Sequence, residues 1–143
     1  MSDKYFVDTN ILMYAHDRST GAKHRLAVSL LERLWDSGQG VLSTQVLQEL
    51  CVNLRRKAAP PLPVSQVRQL IRDYSAWEIV TNTSDSVLQA IEIEARYKIS
   101  FWDALILHAA MDSGASILYS EDLAANQTYG GIRVVNPFLA PAR

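Results

Sequence analysis

Short apolar runs alternate with longer amphipathic stretches along most of the chain. Tyr5-Phe6-Val7, Val41-Leu42, Glu78-Ile79-Val80, Ser116-Ile117-Leu118-Tyr119 and Arg133-Val134-Val135 are brief and bounded by polar or turn-forming residues, the pattern of buried strands. Between them the spacing is helical. Leu26, Leu30, Leu31 and Leu34 share one face over Ala22 to Trp35. Val46, Leu47, Leu50, Cys51 and Leu54 stripe a helix that starts near Thr44, with Ser43 or Thr44 as its cap. Val67, Leu70, Ile71 and Tyr74 mark another, opened by Ser65. Over Asp85 to Lys98 the same reading turns Val87, Leu88, Ile91 and Ala95 inward. It leaves Ala90, Ile93 and Tyr97 as a weaker outer stripe, and Trp77 exposed at the end of its helix. Phe101 to Asp112 is apolar nearly all round and predicts a central, buried helix.

Strands alternating with helices predict an α/β fold with a central, mostly parallel sheet of five strands. The chain has 143 residues, enough for one domain over 1–143 and not for two. In such sheets ligands bind outside the carboxyl ends of the strands, where the strand order reverses. Those ends are therefore where chemistry is expected.

Hydrophobic residues make up 48% and charged residues 20%, a globular balance that excludes a disordered chain. Lys and Arg number 14 against 15 Asp and Glu, so any nucleic-acid binding needs a local patch. Cys51 is the single cysteine, which excludes an internal disulfide and a multi-cysteine zinc site. No apolar run is long enough to span a bilayer, and the start shows no signal-peptide core. A soluble, cytoplasmic protein with no membrane partner is expected.

Four acids stand at the predicted carboxyl edge. Asp8 and Asp122 follow the first and fourth strands; Glu49 and Asp103 lie in early turns of flanking helices. Each has an ordinary explanation. Asp8 and Asp122 suit turns or caps. Glu49 lies off its helix's apolar stripe, as a solvated residue would. Asp103 completes a capping-box pattern from Ser100. Caps do not explain why all four share one edge. If the first and fourth strands are neighbours, the four carboxylates converge, and such a cluster must take up protons or bind metal. All-oxygen ligation suits a hard cation such as Mg²⁺ or Mn²⁺. No Gly-rich phosphate loop is present. His108 lies about 140° around the helix from Asp103, so the two do not share a face.

Phe6-Val7-Asp8-Thr9-Asn10-Ile11-Leu12 resembles the opening motif of PIN domains. Ser100-Phe101-Trp102-Asp103-Ala104-Leu105-Ile106 resembles their third-acid motif, and Leu118-Tyr119-Ser120-Glu121-Asp122-Leu123 the fourth. Tyr129 to Phe138 is similar to the end of the VapC-type toxin branch. The resemblance spans essentially the whole chain. It implies a three-layer PIN-like fold and a metal-dependent endoribonuclease, the toxin of a toxin–antitoxin pair. Its acids fall on Asp8, Glu49, Asp103 and Asp122, which would hold one or two Mg²⁺ or Mn²⁺ ions. Asn10 and the hydroxyl of Ser120 would be supporting polar groups, and Glu121 could share the role of Asp122. An RNA substrate, a homodimer and a small antitoxin that plugs the site are implied as well. A glycine is expected where Asn126 stands, although Asn tolerates the same left-handed turn.

Arg55-Arg56-Lys57 ends the Glu49 helix and is a candidate phosphate-binding group; its ordinary reading is a basic helix C-terminus. Lys23 to Arg25 reads as a solvated face, and His16 as a structural histidine. The principal alternative is a non-catalytic PIN-like module that binds RNA or protein. A receiver-type phosphoacceptor would want adjacent acids at the first strand and a late Lys. A haloacid-type phosphatase would want Asp in place of Asn10. Both fit poorly.

Overall fold

Phe6 and Val7 have no exposed surface. The strand that carries them, β1 (Tyr5–Val7), lies inside the sheet and pairs on both edges. The computed structural model describes residues 3–139. The other strands are β2 (Gly40–Ser43), β3 (Glu78–Val80), β4 (Ile117–Tyr119), β5 (Thr128–Tyr129) and β6 (Ile132–Val135). Their order is β3-β2-β1-β4-β6-β5. All pairings are parallel except β5 with β6. The chain runs outward from β1 through β2 to β3, then returns to the other edge of β1 with β4. The order therefore reverses between β1 and β4, and a crevice opens at their carboxyl ends.

The sheet has six strands where the sequence pattern predicts five. Thr128–Tyr129 is too short to register as an apolar run. It pairs with β6 through Gly130 and Gly131, whose φ angles of 53° and 88° form a two-residue hairpin turn. Asn126 sits at φ 64°, as a left-handed Asn standing for Gly must.

Among the described residues six helices flank the sheet: α1 (Thr9–Ala15), α2 (Ala22–Ser37), α3 (Thr44–Arg56), α4 (Val64–Tyr74), α5 (Ser84–Tyr97) and α6 (Phe101–Ser113). A single 3-10 turn, Arg18–Thr20, links the first two. As its pattern predicts, α6 is buried, with Leu107 and Ala110 at 0% exposure, and it packs against β2, β3 and β4. Among the described residues no helix is long and apolar enough to cross a membrane.

Helix α5 is turned the opposite way from its expected orientation. Val87, Leu88 and Ile91 are exposed at 42%, 62% and 49%, whereas Ser86 and Ala90 are buried. Ala90 packs with Ala104 and Leu105 of α6, and Ile93 joins them. Small side chains let the two helices approach closely, and that contact outweighs burial of the bulkier stripe. Leu88→Lys is accordingly expected to change unfolding free energy by no more than about 0.5 kcal/mol. Ala90→Leu should cost about 1–3 kcal/mol by overpacking. Urea denaturation of the two variants checks the pair, and the reverse ranking would contradict this orientation.

Trp77 is not exposed as expected. Its ring stands edge-on to Trp35 and Tyr74, at 5.3 and 5.5 Å between centroids. A side chain at Gly40 would meet this ring at 2.3 Å, so glycine is required where β2 passes beneath it.

Candidate active site

Asp8 ends β1 and caps α1, as polar residues at such junctions do. The residue is 4% exposed. One carboxylate oxygen accepts the Thr9 backbone N–H at 2.7 Å, and the other accepts the Ser120 hydroxyl at 2.7 Å. Burial pushes its pKa up to about 7. The bonds from Ser120 and Thr9 oppose that rise, and the charges of Asp122 and Glu49 add to it.

Ser120 follows β4 and is fully buried. While donating to Asp8, its oxygen accepts the N–H groups of Asp122 and Leu123 at 3.1 and 3.4 Å. One hydroxyl thus ties the first acid to the loop that carries the fourth. Pairing of β1 with β4 makes this possible, because it brings Val7 opposite Tyr119.

Glu49 projects from α3. Its oxygens accept the Thr9 hydroxyl at 2.7 Å and the Gln45 amide at 3.4 Å. Gln45 is buried and also donates to the Trp102 carbonyl at 3.3 Å. It thereby connects Glu49 with the first turn of α6. Sequence reasoning missed both Thr9 and Gln45; the only signal was that Gln45 precedes Glu49 by one helical turn.

Asp103 occupies that first turn. Its N–H is capped by the Ser100 oxygen at 3.1 Å, the half of the capping box the sequence predicts. Burial raises the Asp103 pKa; Ser100 opposes this, and the charges of Asp122 and Glu49 reinforce it. Asp122 is exposed at the mouth.

Asp8, Asn10, Glu49, Asp103 and Asp122 all line one cleft of about 520 Å³. Lys57 and Trp102 line it too. Arg55 instead lines a separate, smaller groove with Cys51 and Val64, and Arg56 is exposed. The Asn10 side-chain oxygen accepts the Glu121 N–H at 3.4 Å, while its buried nitrogen has no hydrogen-bond partner.

Glu121 turns away to other partners. It accepts the Tyr14 hydroxyl at 2.5 Å and pairs with the Lys23 ammonium. Partial burial raises its pKa, but Lys23 and Tyr14 outweigh that and hold it below the ordinary value. Lys23, read from sequence as solvated, is thus engaged. His16 accepts or donates a 2.7 Å bond with the Tyr74 hydroxyl at the far end of α1.

Among the described residues, no three His, Cys, Asp or Glu side chains are arranged as a preassembled metal site. Both oxygens of Asp8 and of Glu49 are engaged in hydrogen bonds. The donor set is nonetheless all oxygen, and the charges of Asp122 and Glu49 help raise the pKa of Asp8 and of Asp103, an electrostatic environment that suits a hard divalent cation.

A family model described as the PIN domain matches residues 5–130. Among solved structures, the VapC20 toxin of Mycobacterium tuberculosis, described as cleaving the sarcin–ricin loop, is 26% identical. It has a TM-score of 0.65, with 83% of this chain and 90% of that one covered. A toxin–antitoxin complex from Klebsiella pneumoniae contains a chain 23% identical, with a TM-score of 0.69 and coverage of 94% and 98%. VapBC2 from Rickettsia felis, bound to a promoter DNA fragment, has a chain 20% identical, with a TM-score of 0.63 and coverage of 91% and 96%. Among curated proteins none matches the chain.

Proposed function

Given that the chain belongs to the PIN-domain family, we propose that it is a metal-dependent endoribonuclease acting as the toxin of a toxin–antitoxin pair. The carrying observation is the convergence of Asp8, Glu49, Asp103 and Asp122 on one cleft at the point where the strand order reverses. Likeness to VapC20 and to chains of toxin–antitoxin complexes supports the toxin reading and a protein antitoxin as partner.

The four acids would hold Mg²⁺ or Mn²⁺. When bound, such an ion lowers the pKa of water and stabilises charge on the scissile phosphate. The chain's own residues do the rest. Ser120 and Thr9 fix both oxygens of Asp8, so this ligand is oriented before substrate arrives. Gln45 and the Thr9 hydroxyl do the same for Glu49. Lys57 supplies a phosphate contact from the cleft wall, and the unpartnered Asn10 amide supplies a further donor. Attack by water leaves 5′-phosphate and 3′-hydroxyl ends. A homodimer is part of the same reading.

The test is cleavage of a mixed structured RNA pool, and of DNA of matching sequence, with Mg²⁺, with Mn²⁺ and with EDTA. RNA should be cut with either metal and not with EDTA, leaving 5′-phosphate ends. Asp103→Asn, shown to be folded by circular dichroism, should lower the rate by roughly 100-fold or more. Full activity in EDTA, or 2′,3′-cyclic phosphate products, would defeat the mechanism. Binding of RNA without turnover in any metal would favour the non-catalytic module.

A further inference from the structure

The geometry points to Lys23 and Tyr14 as positioning residues that set Asp122 through Glu121, an inference that rests on the metal-dependent reading above. The loop from Ser120 to Asp122 is fastened to the β1–α1 unit at Ser120 and at Glu121. The Ser120 hydroxyl donates to Asp8 at 2.7 Å. The Glu121 N–H donates to the Asn10 side chain at 3.4 Å. The Glu121 carboxylate then receives the Tyr14 hydroxyl at 2.5 Å and the Lys23 ammonium. Asp122 follows directly, anchored by its N–H on Ser120.

The latch is flanked by two aromatic rings. The Lys23 ammonium lies 5.0 Å from the centre of the Tyr14 ring and 5.5 Å from that of Phe138. The two rings meet edge to face at 5.0 Å. A cation held against two aromatic faces and a carboxylate has less freedom than a surface lysine. The arrangement does two things. It fixes the backbone from which Asp122 projects, and it keeps a fifth carboxylate, that of Glu121, out of an already crowded acidic cleft. Glu121 therefore acts on the metal site by placing its neighbour and not by ligation.

Binding of Mn²⁺ to the RNA-free protein tests this, followed by the loss of the free-ion electron paramagnetic resonance signal. That readout is independent of any effect on RNA at the cleft wall, which Tyr14 also lines. Tyr14→Phe preserves the ring and its packing, so folding is kept. Tyr14→Phe and Glu121→Ala should each weaken Mn²⁺ binding by about tenfold, the scale of lost outer-shell support. The double variant should be no weaker than either single one, since one latch is being removed twice. Lys23→Met should weaken binding in the same direction, and Lys23→Arg should restore it. Loss in Glu121→Ala with none in Tyr14→Phe would make Glu121 a ligand and overturn the proposal. Unchanged binding in both would overturn it while leaving the metal site intact. Absence of Mn²⁺ binding in the unmodified protein would remove the metal-dependent reading and the latch with it.

Discussion

Asp8→Asn should abolish RNA cleavage and, in EDTA, remove most of the dependence of stability on pH between about 4 and 7. Asp8 is ionised above 3.8 in an unfolded chain, but in the metal-free fold its pKa is about 7. Below both values each state carries the proton and no difference arises. As pH rises between them the unfolded chain loses its proton first, so folding becomes progressively less favourable. Above the folded value the loss levels off. The full penalty is about 4 kcal/mol, at 1.36 kcal/mol for each unit. Asn carries no charge and escapes it. Ser120 must then turn its proton elsewhere, at a cost of about 1 kcal/mol for one hydrogen bond. The variant should therefore be as stable as the unmodified protein, or more so, at pH 7.5. Urea denaturation in EDTA at several pH values measures the difference between the two curves. Taking that difference cancels the opposite slope from His16, whose pKa is lowered first by burial and further by His24. Parallel curves would show that Asp8 does not carry a proton in the metal-free fold.

Leu107→Ala should destabilise the protein by about 2–5 kcal/mol, the range for emptying a buried leucine site. Leu107 is 0% exposed and lies one helical turn beyond Asp103 on the same face of α6. That is a large share of the roughly 5–15 kcal/mol that keeps a domain folded. The cavity opens directly behind the turn that presents Asp103, so the rate per folded molecule should fall as well. Calibrated urea denaturation gives the first quantity. Cleavage rates at low temperature, corrected for the folded fraction, give the second. A loss below about 0.5 kcal/mol would mean that α6 is not the packed centre described above.

Much of this arrangement is readable from the residues in order. The apolar runs mark five strands, and the polar residues ending the first and fourth locate the edge at which the four acids gather. Neighbouring β1 and β4, on which convergence depends, is borne out by the sheet order. Asn126 adopts the left-handed turn that its replacement of glycine requires. The errors share one cause. Periodicity reports where bulky apolar groups lie and is silent about how closely two helices approach. In α5 the contact is made by Ser86 and Ala90, and the larger residues are left outside. Trp77 is misread for the same reason, since its shelter is the absence of a side chain at Gly40. Partners distant in sequence are equally hidden. Nothing near Glu121 announces Lys23, and nothing near Asp8 announces Ser120, 112 positions away.

That last separation bears on how the protein is made. β1 is made before β4, yet one of its two edges waits for that strand, more than a hundred residues later. Before β4 is made, only β1, β2 and β3 can pair, with β1 as an unprotected border. Glu49 is present by then, but Asp103 and Asp122 are not. The nascent polypeptide therefore lacks the complete cleft, and the full acid set is present only once Asp122 has been added. Chains that terminate early, before Asp122, should accumulate as sticky, inert fragments and not as weakened nucleases.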